Sequence, residues 1–261
     1  MKKIYFLLFL VLVIGFFPIN IFSMDKEIPE EKILEEEILR EEIPEEKIPE
    51  KEKENISEDF PTEEEEFSVL QLGSKGEEVF FLQEILKKEK YFFSSPDGIF
   101  GEETRDAVIA FQKVHGLKKD GIVDYQTWQA LINPQKLTPI PKYREIQGIY
   151  IEVDLKRQIL LLVKDGKIER IIHISSGKRG METPQGEFEV TFLWPGWHKV
   201  VGRPWGGEMY NAIYFKGAYA IHGMKNVPVY PASHGCIRVP IRYADKIFQM
   251  AGKIGTKIYI Y

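Results

Sequence analysis

The chain has 261 residues, of which 44% are hydrophobic and 13% aromatic, with a formal charge of −5 and a single cysteine. The apolar content is enough for a folded core, and one cysteine excludes both an intramolecular disulfide and a Cys₄ zinc site. A negative net charge does not favour binding to the nucleic-acid backbone, so no nucleic-acid partner is predicted.

The N-terminus has the pattern of an export signal. Two lysines precede the apolar run Ile4–Phe17, and a small residue, Ser23, follows as a candidate cleavage point. The run is shorter than the roughly 20 residues that span a bilayer. Extended to Phe22 it reaches 19 residues, so an uncleaved membrane anchor is the alternative. Residues 1–23 are therefore predicted to be a signal peptide or anchor, and the protein to be exported to the periplasm or cell envelope.

Residues 24–66 are predicted to be an acidic, disordered linker. Asp25–Glu66 holds 20 acidic and 6 basic residues, a net charge of −14, and prolines interrupt it repeatedly. Such a segment repels itself and buries too little apolar surface to pay for folding. The alternative is a helix that binds a partner through Ile33–Leu39.

The next segment, 67–135, is predicted to be a small domain of three helices. Apolar residues recur at helical spacing after Gly76, and further helices are predicted over Glu102–His115 and Tyr125–Ile132. Two similar Asp-Gly turns, at Asp97 and 23 residues later, introduce the second and third helices.

This segment resembles the peptidoglycan-binding domain type 1. The resemblance is carried by a Gly-Ser-Lys-Gly entry at Gly73, a Leu-Gln pair at Leu82 in the first helix and an Asp-Gly-x-Phe-Gly-x-x-Thr turn at Asp97. Two pairs in the second helix, Ala107-Val108 and Phe111-Gln112, add to it. It implies a module that docks the protein on the cell wall. The alternative is a helical domain that acts only as a spacer.

Residues 144–261 are predicted to form a mostly β domain with one late helix. Tyr143–Tyr261 has 17 basic and 10 acidic residues, a net charge of +7. A helix is predicted from Pro240 to Ala251. Strands are predicted over Gly148–Leu155, Gln158–Lys164, Lys167–Ser175, Glu187–Leu193, Asn211–Phe215, Ala218–His222 and Thr256–Tyr261.

The chemical signal of this domain is an Ile-His-Gly element at His222 followed by Ser-His-Gly-Cys-Ile-Arg ending at Arg238. A thiol with an imidazole fourteen residues upstream suits nucleophilic catalysis, because a free thiol of pKa about 8.5 is mostly protonated at pH 7 and needs a base. Gly235 lets the backbone bend, so that its amide and that of Cys236 are predicted to face a developing oxyanion.

These motifs resemble the L,D-transpeptidase (YkuD-like) family, with support from Ser176-Gly177-Lys178, Thr183–Phe188 and Gly255-Thr256. The resemblance implies that Cys236 is the nucleophile, that His222 is its general base and that the Gly223 carbonyl orients the imidazole. It further implies that the catalytic turn is shaped by Ser233, His234 and Gly235, and that Arg238 either pins this loop or binds a substrate carboxylate. Tyr214 is also predicted to bind substrate. No cofactor and no metal are implied.

By the family's chemistry, the cysteine attacks the carbonyl of the third residue in a stem tetrapeptide of peptidoglycan and expels D-alanine. An amine of a second stem then takes the acyl group, which gives a crosslink. The predicted partners are thus peptidoglycan stem peptides and glycan, and a domain charge of +7 suits an anionic polymer. The nearest alternative is an L,D-carboxypeptidase, in which water takes the thioester.

Two other classes stay open at this point. One is a zinc peptidase with His222, His234 and Cys236 as ligands, and the other is a wall-binding protein without catalysis. The remaining histidines receive separate interpretations. His173, in an Ile-rich strand, and His115, at a helix end, are predicted to be structural. His198 lies among tryptophans in the stretch 194–210, which is interpreted either as an aromatic lid on the substrate groove or as ordinary loop packing.

Overall fold

A computed structural model of the chain describes residues 67–132, 138–200 and 207–261. The predicted signal or anchor, 1–23, and the predicted linker, 24–66, lie outside the described residues. All described residues belong to one compact unit, Glu58–Tyr261. Within the part that is described, no helix is long and apolar enough to cross a membrane.

The first three elements are helices: α1 (Glu77–Lys88) starts directly after Gly76, and α2 (Glu102–His115) and α3 (Tyr125–Ile132) have the predicted bounds. Acidic residues occupy the first turns of α1 and α2, and basic residues occupy their last turns, as the helix dipole favours. Gly116 ends α2 in the left-handed conformation, with φ 70°.

Two buried glutamines hold the two Asp-Gly turns in the same way. Gln83 Oε1 accepts the backbone N–H of Gly98, and Gln112 Oε1 accepts that of Gly121, both at 2.9 Å. Each glutamine also donates through Nε2 to a carbonyl of its turn. Because both ends of each side chain are satisfied, burial costs little and each turn is fixed to its helix.

The remaining elements form two sheets and one helix. The five-stranded sheet has the order β3-β2-β1-β9-β4, and the four-stranded sheet has the order β5-β6-β7-β8. The elements are β1 (Ile149–Asp154), β2 (Ile159–Lys164), β3 (Lys167–His173), β4 (Gly186–Glu189), β5 (Phe192–Lys199), β6 (Glu208–Lys216), β7 (Tyr219–Met224), β8 (Ile237–Pro240), α4 (Ile241–Ala251) and β9 (Lys257–Ile260). A three-helix module followed by a mostly β domain with one late helix is thus confirmed.

An apolar cluster joins residues of both sheets to α4. It includes Ile151 and Ile258 of the larger sheet, Ile221 of the smaller one, and Ile247 of α4, each at most 1% exposed. Helix α4 begins directly after Pro240, which has no backbone N–H to leave unsatisfied at the helix start. Its apolar face covers β6 and β7, which fixes the strand that carries His222.

Two strand predictions are wrong. The single strand expected over Glu187–Leu193 is split: β4 ends at Glu189, β5 begins at Phe192, and the two belong to different sheets. The chain crosses between sheets at Val190, which is 1% exposed, so the hydrophobic pattern runs on through the break. Much of the stretch 194–210 is regular strand rather than loop, since β5 pairs antiparallel with β6.

The helices and sheets share one core instead of forming two separately packed units. One apolar cluster contains Phe111 of α2, Leu161 of β2 and Ile171 of β3, each at most 2% exposed. At the same interface His173 Nε2 lies 3.2 Å from Asp106 Oδ1, and burial lowers the pKa of His173. His173 therefore lies in the interior, in agreement with its predicted structural role.

A buried lysine reinforces this interface. Lys113 of α2 is 3% exposed and donates through Nζ to the carbonyls of Gln158, at 3.1 Å, and Ile174, at 2.8 Å. Burial lowers its pKa to about 7. Both carbonyls flank the larger sheet, so the ammonium holds the helical module against the domain that carries the site.

Candidate active site

The paired β7 and β8 bring the two halves of the motif together. They run parallel, with His222 level with Arg238 and Ile221 level with Ile237. Cys236 precedes β8 by one residue, so continuing the register sets it level with Ala220 of β7. The segment between the histidine and the cysteine therefore contains the connection that returns the chain to the same end of the sheet.

His222 is held as a neutral base. It is 5% exposed, and its Nδ1 lies 3.2 Å from the Gly223 carbonyl oxygen. A carbonyl can only accept, so Nδ1 carries the proton and Nε2 keeps its lone pair. Burial lowers the pKa of His222 to about 4; the Gly223 contact opposes this shift and the positive charge of Arg238 adds to it.

Gly223 is also required by packing. A Cβ built on it would lie 2.7 Å from the Ala244 Cβ and 3.3 Å from the Ile241 Cα of α4. Only a residue without a side chain lets β7 approach the helix this closely. The glycine next to His222 thus sets both the carbonyl that fixes the imidazole and the distance between strand and helix.

The turn before Cys236 is closed by Ser233. Ser233 is 1% exposed; its Oγ donates to the Cys236 carbonyl at 2.5 Å and accepts the Gly235 N–H at 3.0 Å. The Gly235 amide was predicted to face an oxyanion, but it is used within the turn instead. Cys236 is partly exposed, and its Sγ donates to the Ala218 carbonyl at 3.6 Å.

Gly235 itself cannot carry a side chain without strain. Its φ is +110°, and a Cβ on it would lie 2.3 Å from Cε1 of the Tyr219 ring. Both facts follow from a turn that folds tightly against β7. They account for the glycine directly before the cysteine.

Thr183 supports this turn from a distant segment and is not among the predicted site residues. It is 3% exposed, and its Oγ1 donates to the Gly235 carbonyl at 2.8 Å while accepting the Gly177 N–H at 2.9 Å. The hydroxyl therefore ties the cysteine turn to the segment after β3. The motif Thr183–Phe188 indicated that this segment matters, but no feature of the segment identifies Gly235, 52 residues away, as its hydrogen-bond partner.

A cavity of about 340 Å³ opens beside the thiol. The cavity brings together most of the predicted site residues. Its lining includes Tyr214, His222, Ser233, His234, Cys236 and Arg238. Arg238 is partly buried and donates to the Ala232 carbonyl at 3.4 Å, while its backbone pairs with Ser175. Gly223 and Gly235 are not among the lining residues.

The outer part of the site is aromatic. Tyr214 lines the cavity, and its hydroxyl lies 2.9 Å from His198 Nε2. The His198 ring stacks on Trp194, with centroids 4.6 Å apart. The aromatic side chains of β5 thus continue outward from the cavity. Trp205, the third tryptophan of the stretch 194–210, lies outside the described residues.

The described residues contain no group of three or more His, Cys, Asp or Glu side chains arranged to hold a metal ion. In the predicted zinc alternative, His222, His234 and Cys236 would serve as ligands. The observed contacts of His222 Nδ1 and of the thiol go to the backbone carbonyls of Gly223 and Ala218.

Two family profiles match the chain. A peptidoglycan binding domain matches residues 75–131, and the L,D-transpeptidase catalytic domain matches residues 148–260. Among curated proteins, a spore cortex-lytic enzyme of Bacillus cereus is 39% identical over 68 residues. This match covers 26% of each protein, so the chain spans about a quarter of that relative's length.

The similarity to solved structures covers a larger share of the chain than either profile. The crystal structure of the L,D-transpeptidase of Xylanimonas cellulosilytica is 38% identical, with a TM-score of 0.66; the match covers 74% of this chain and 98% of that one. An L,D-transpeptidase of Stackebrandtia nassauensis is 21% identical over 74% of this chain and 94% of its own, with a TM-score of 0.44. On the first of these matches and the two profiles, the chain belongs to the L,D-transpeptidase family, with a peptidoglycan-binding module ahead of its catalytic domain.

Proposed function

We propose that the protein is a cell-wall L,D-transpeptidase that crosslinks peptidoglycan through a thioester on Cys236. One observation supports this most: the chain's only cysteine shares a cavity with a buried imidazole whose Nε2 lone pair is unprotonated and whose orientation is fixed by a backbone carbonyl. A pKa of about 4 keeps that imidazole in the basic form at any pH at which the wall is built.

In the proposed first step, His222 Nε2 takes the proton of the Cys236 thiol as Sγ attacks the carbonyl carbon of the third stem residue. The oxyanion that forms is bound by the Cys236 backbone N–H. Collapse of this intermediate breaks the bond to D-alanine, and His222 returns the proton to the leaving amine. The enzyme then holds the stem as a thioester.

In the second step an amine of another stem attacks the thioester carbon. His222 accepts the proton of that amine, and the thiolate leaves and recovers the proton, so the enzyme is unchanged. If water replaces the amine, the same steps give an L,D-carboxypeptidase. Arg238 lies at the cavity with its charge available for a stem carboxylate, and Tyr214 forms the outer wall.

The Thr183 hydroxyl supports this chemistry from behind. The Gly235 carbonyl and the Cys236 N–H belong to one planar trans peptide, so they point in opposite directions. Thr183 holds the carbonyl, which fixes the direction of the N–H and polarises it. Ser233 holds the next carbonyl, that of Cys236, so both peptides around the nucleophile are immobilised.

We further propose that residues 1–23 export or anchor the protein, that 24–66 is a linker, and that 67–135 and 144–261 are the wall-binding and catalytic parts. The protein then works outside the cytoplasmic membrane, on the wall. The supporting features are the apolar start, the charge of −14 over Asp25–Glu66, and the two family matches.

The experiment that tests the proposal is mass spectrometry of the intact protein after incubation with stem tetrapeptide, with and without an amine acceptor. A thioester adduct that is absent in Cys236→Ala and disappears on adding the amine supports crosslinking, whereas loss of the adduct in water alone indicates a carboxypeptidase. Activity that a chelator abolishes and thiol alkylation leaves unchanged would point to the zinc peptidase. A wild-type protein that forms no adduct and turns over no peptide would be a wall-binding protein only.

A further inference from the structure

Three large side chains of the edge strand β5 are about half exposed: Phe192 (51%), Trp194 (44%) and Trp197 (47%). Soluble proteins rarely leave such a row of rings in water, because each exposed ring forgoes the free energy of burial and an apolar edge strand invites aggregation. Rows of this kind mark interaction surfaces. The position of the row on the sheet indicates what it contacts.

The rings divide between the two faces of β5. Phe192 is paired with Tyr214 across the sheet, and their rings are 5.6 Å apart. Trp194 stacks on His198, which contacts the Tyr214 hydroxyl, so all four lie toward the cavity. These four residues are termed the aromatic strip. Trp197 is different: it packs on Tyr210, whose hydroxyl donates to Asp245 of α4, on the other face.

The sheet register gives the distance from the thiol to the strip. Phe192 is level with Tyr214, Tyr214 with Ala220, and Ala220 with Cys236 when the β7–β8 pairing is continued by one residue. Strands in a sheet are spaced about 4.8 Å apart, so three gaps place Phe192 roughly 14 Å from the cysteine. Tyr214 lies between them and lines the cavity.

A stem peptide bound at the cysteine matches this distance. With its third residue at the thiol, an extended stem spans about 10 Å back to its first residue, at 3.3–3.6 Å per residue. The next group in peptidoglycan is the sugar to which the stem is attached. A pyranose ring presents several C–H bonds on one face, and the negative face of an aromatic ring attracts such C–H groups.

We infer that the aromatic strip is a glycan subsite of the catalytic domain, which stacks on the sugar that carries the stem held at Cys236. This inference rests on the proposed function and adds to it a preference for stems that are still attached to sugar. The wall-binding module is not required for this contact, because all residues of the strip lie in β5 and β6.

The test compares two substrates on the full-length protein: disaccharide-tetrapeptide and the free tetrapeptide of the same sequence. Wild type is expected to favour the sugar-bearing substrate in kcat/KM. Trp194→Ala is expected to reduce that preference about tenfold, to near unity, while turnover of free tetrapeptide stays as in wild type. Trp194→Phe, which keeps an aromatic face, is expected to retain most of the preference.

Trp197→Ala is the matched control, since it removes a ring of similar exposure from the same strand but from the other face. The inference is overturned if Trp194→Ala keeps the wild-type preference, if Trp197→Ala loses it equally, or if Trp194→Ala only changes the oligomeric state in gel filtration. In each of these cases turnover of free tetrapeptide still shows the proposed function to be intact. Absence of a Cys236 adduct with either substrate would instead reject the proposed function.

Discussion

Replacing Thr183 by Val tests whether the buried hydroxyl positions the peptide next to the nucleophile. Valine has nearly the shape of threonine but neither donates nor accepts. The change leaves the Gly177 N–H and the Gly235 carbonyl without their partner. An unsatisfied buried group costs about 1–3 kcal/mol, so the two together cost about 2–6 kcal/mol. For a unit of 150–250 residues each kcal/mol lowers Tm by about 2–4 °C.

Catalysis should fall together with stability. With the Gly235 carbonyl released, the Cys236 N–H is no longer aimed at the oxyanion, and loss of one such donor costs about 10²–10³ in kcat. We expect Thr183→Val to form the Cys236 thioester at least tenfold more slowly, with KM little changed. The assay is the rate of adduct formation by mass spectrometry, alongside thermal unfolding followed by circular dichroism.

Thr183→Ser is the control, because it keeps the hydroxyl and removes only a methyl group. It should recover most of the acylation rate and most of the Tm. The reasoning is refuted if the valine variant, folded at the assay temperature, acylates as fast as wild type. It is equally refuted if serine and valine variants are impaired to the same extent, since the lost methyl group would then be the cause.

Three further predictions concern the same site. Gly235→Ala should abolish acylation, because positive φ and the contact with a neighbouring ring cost several kcal/mol, whereas Gly116→Ala, at φ +70° with no atom within 4 Å of the added Cβ, should lower Tm only slightly and leave acylation near wild type. Gly223→Ala should destabilise through its 2.7 Å contact with Ala244, and thermal melts should show partial recovery in the double variant with Ala244→Gly. Because the pKa of His222 is lowered to about 4, kcat/KM should fall on the acid side near pH 4 rather than near pH 6.5. The unfolded state binds the His222 proton at higher pH than the folded state, so the free energy of unfolding should fall as the pH is lowered from 6.5 to 4. Thermal melts at a series of pH values should show that His222→Gln removes this loss.

The helices were predictable because their signals are local. The spacing of apolar residues, the acidic first turns and Gly116 all lie within the segments they define. The motif around Cys236 was recognisable for the same reason, since its residues are adjacent in sequence. Local sequence also indicated that Gly235 lets the backbone bend, whereas the steric need for glycine at 223 and 235 follows only from the structure.

The rest depended on the folded geometry of the chain, near in sequence as well as far. Thr183 meets Gly235 across 52 residues, and no feature of either segment names the other. The Gly235 amide was expected to face the oxyanion, whereas it donates to the Ser233 hydroxyl. Whether these two groups meet depends on how the turn folds, and the residue types alone do not determine this. The break after Glu189 was missed because Val190 stays buried while passing from one sheet to the other, so hydrophobicity does not change there.

The shared core of the helices and sheets has a consequence for how the wall is modified. A binding module on a flexible tether lets an enzyme reach any stem within the radius of that tether. Here Asp106 and Lys113 fasten the helices to the catalytic domain through buried contacts. If the proposed wall-binding module binds a glycan strand, the thiol lies at a fixed distance from the bound part of that strand. The protein would then select stems by their position along the strand.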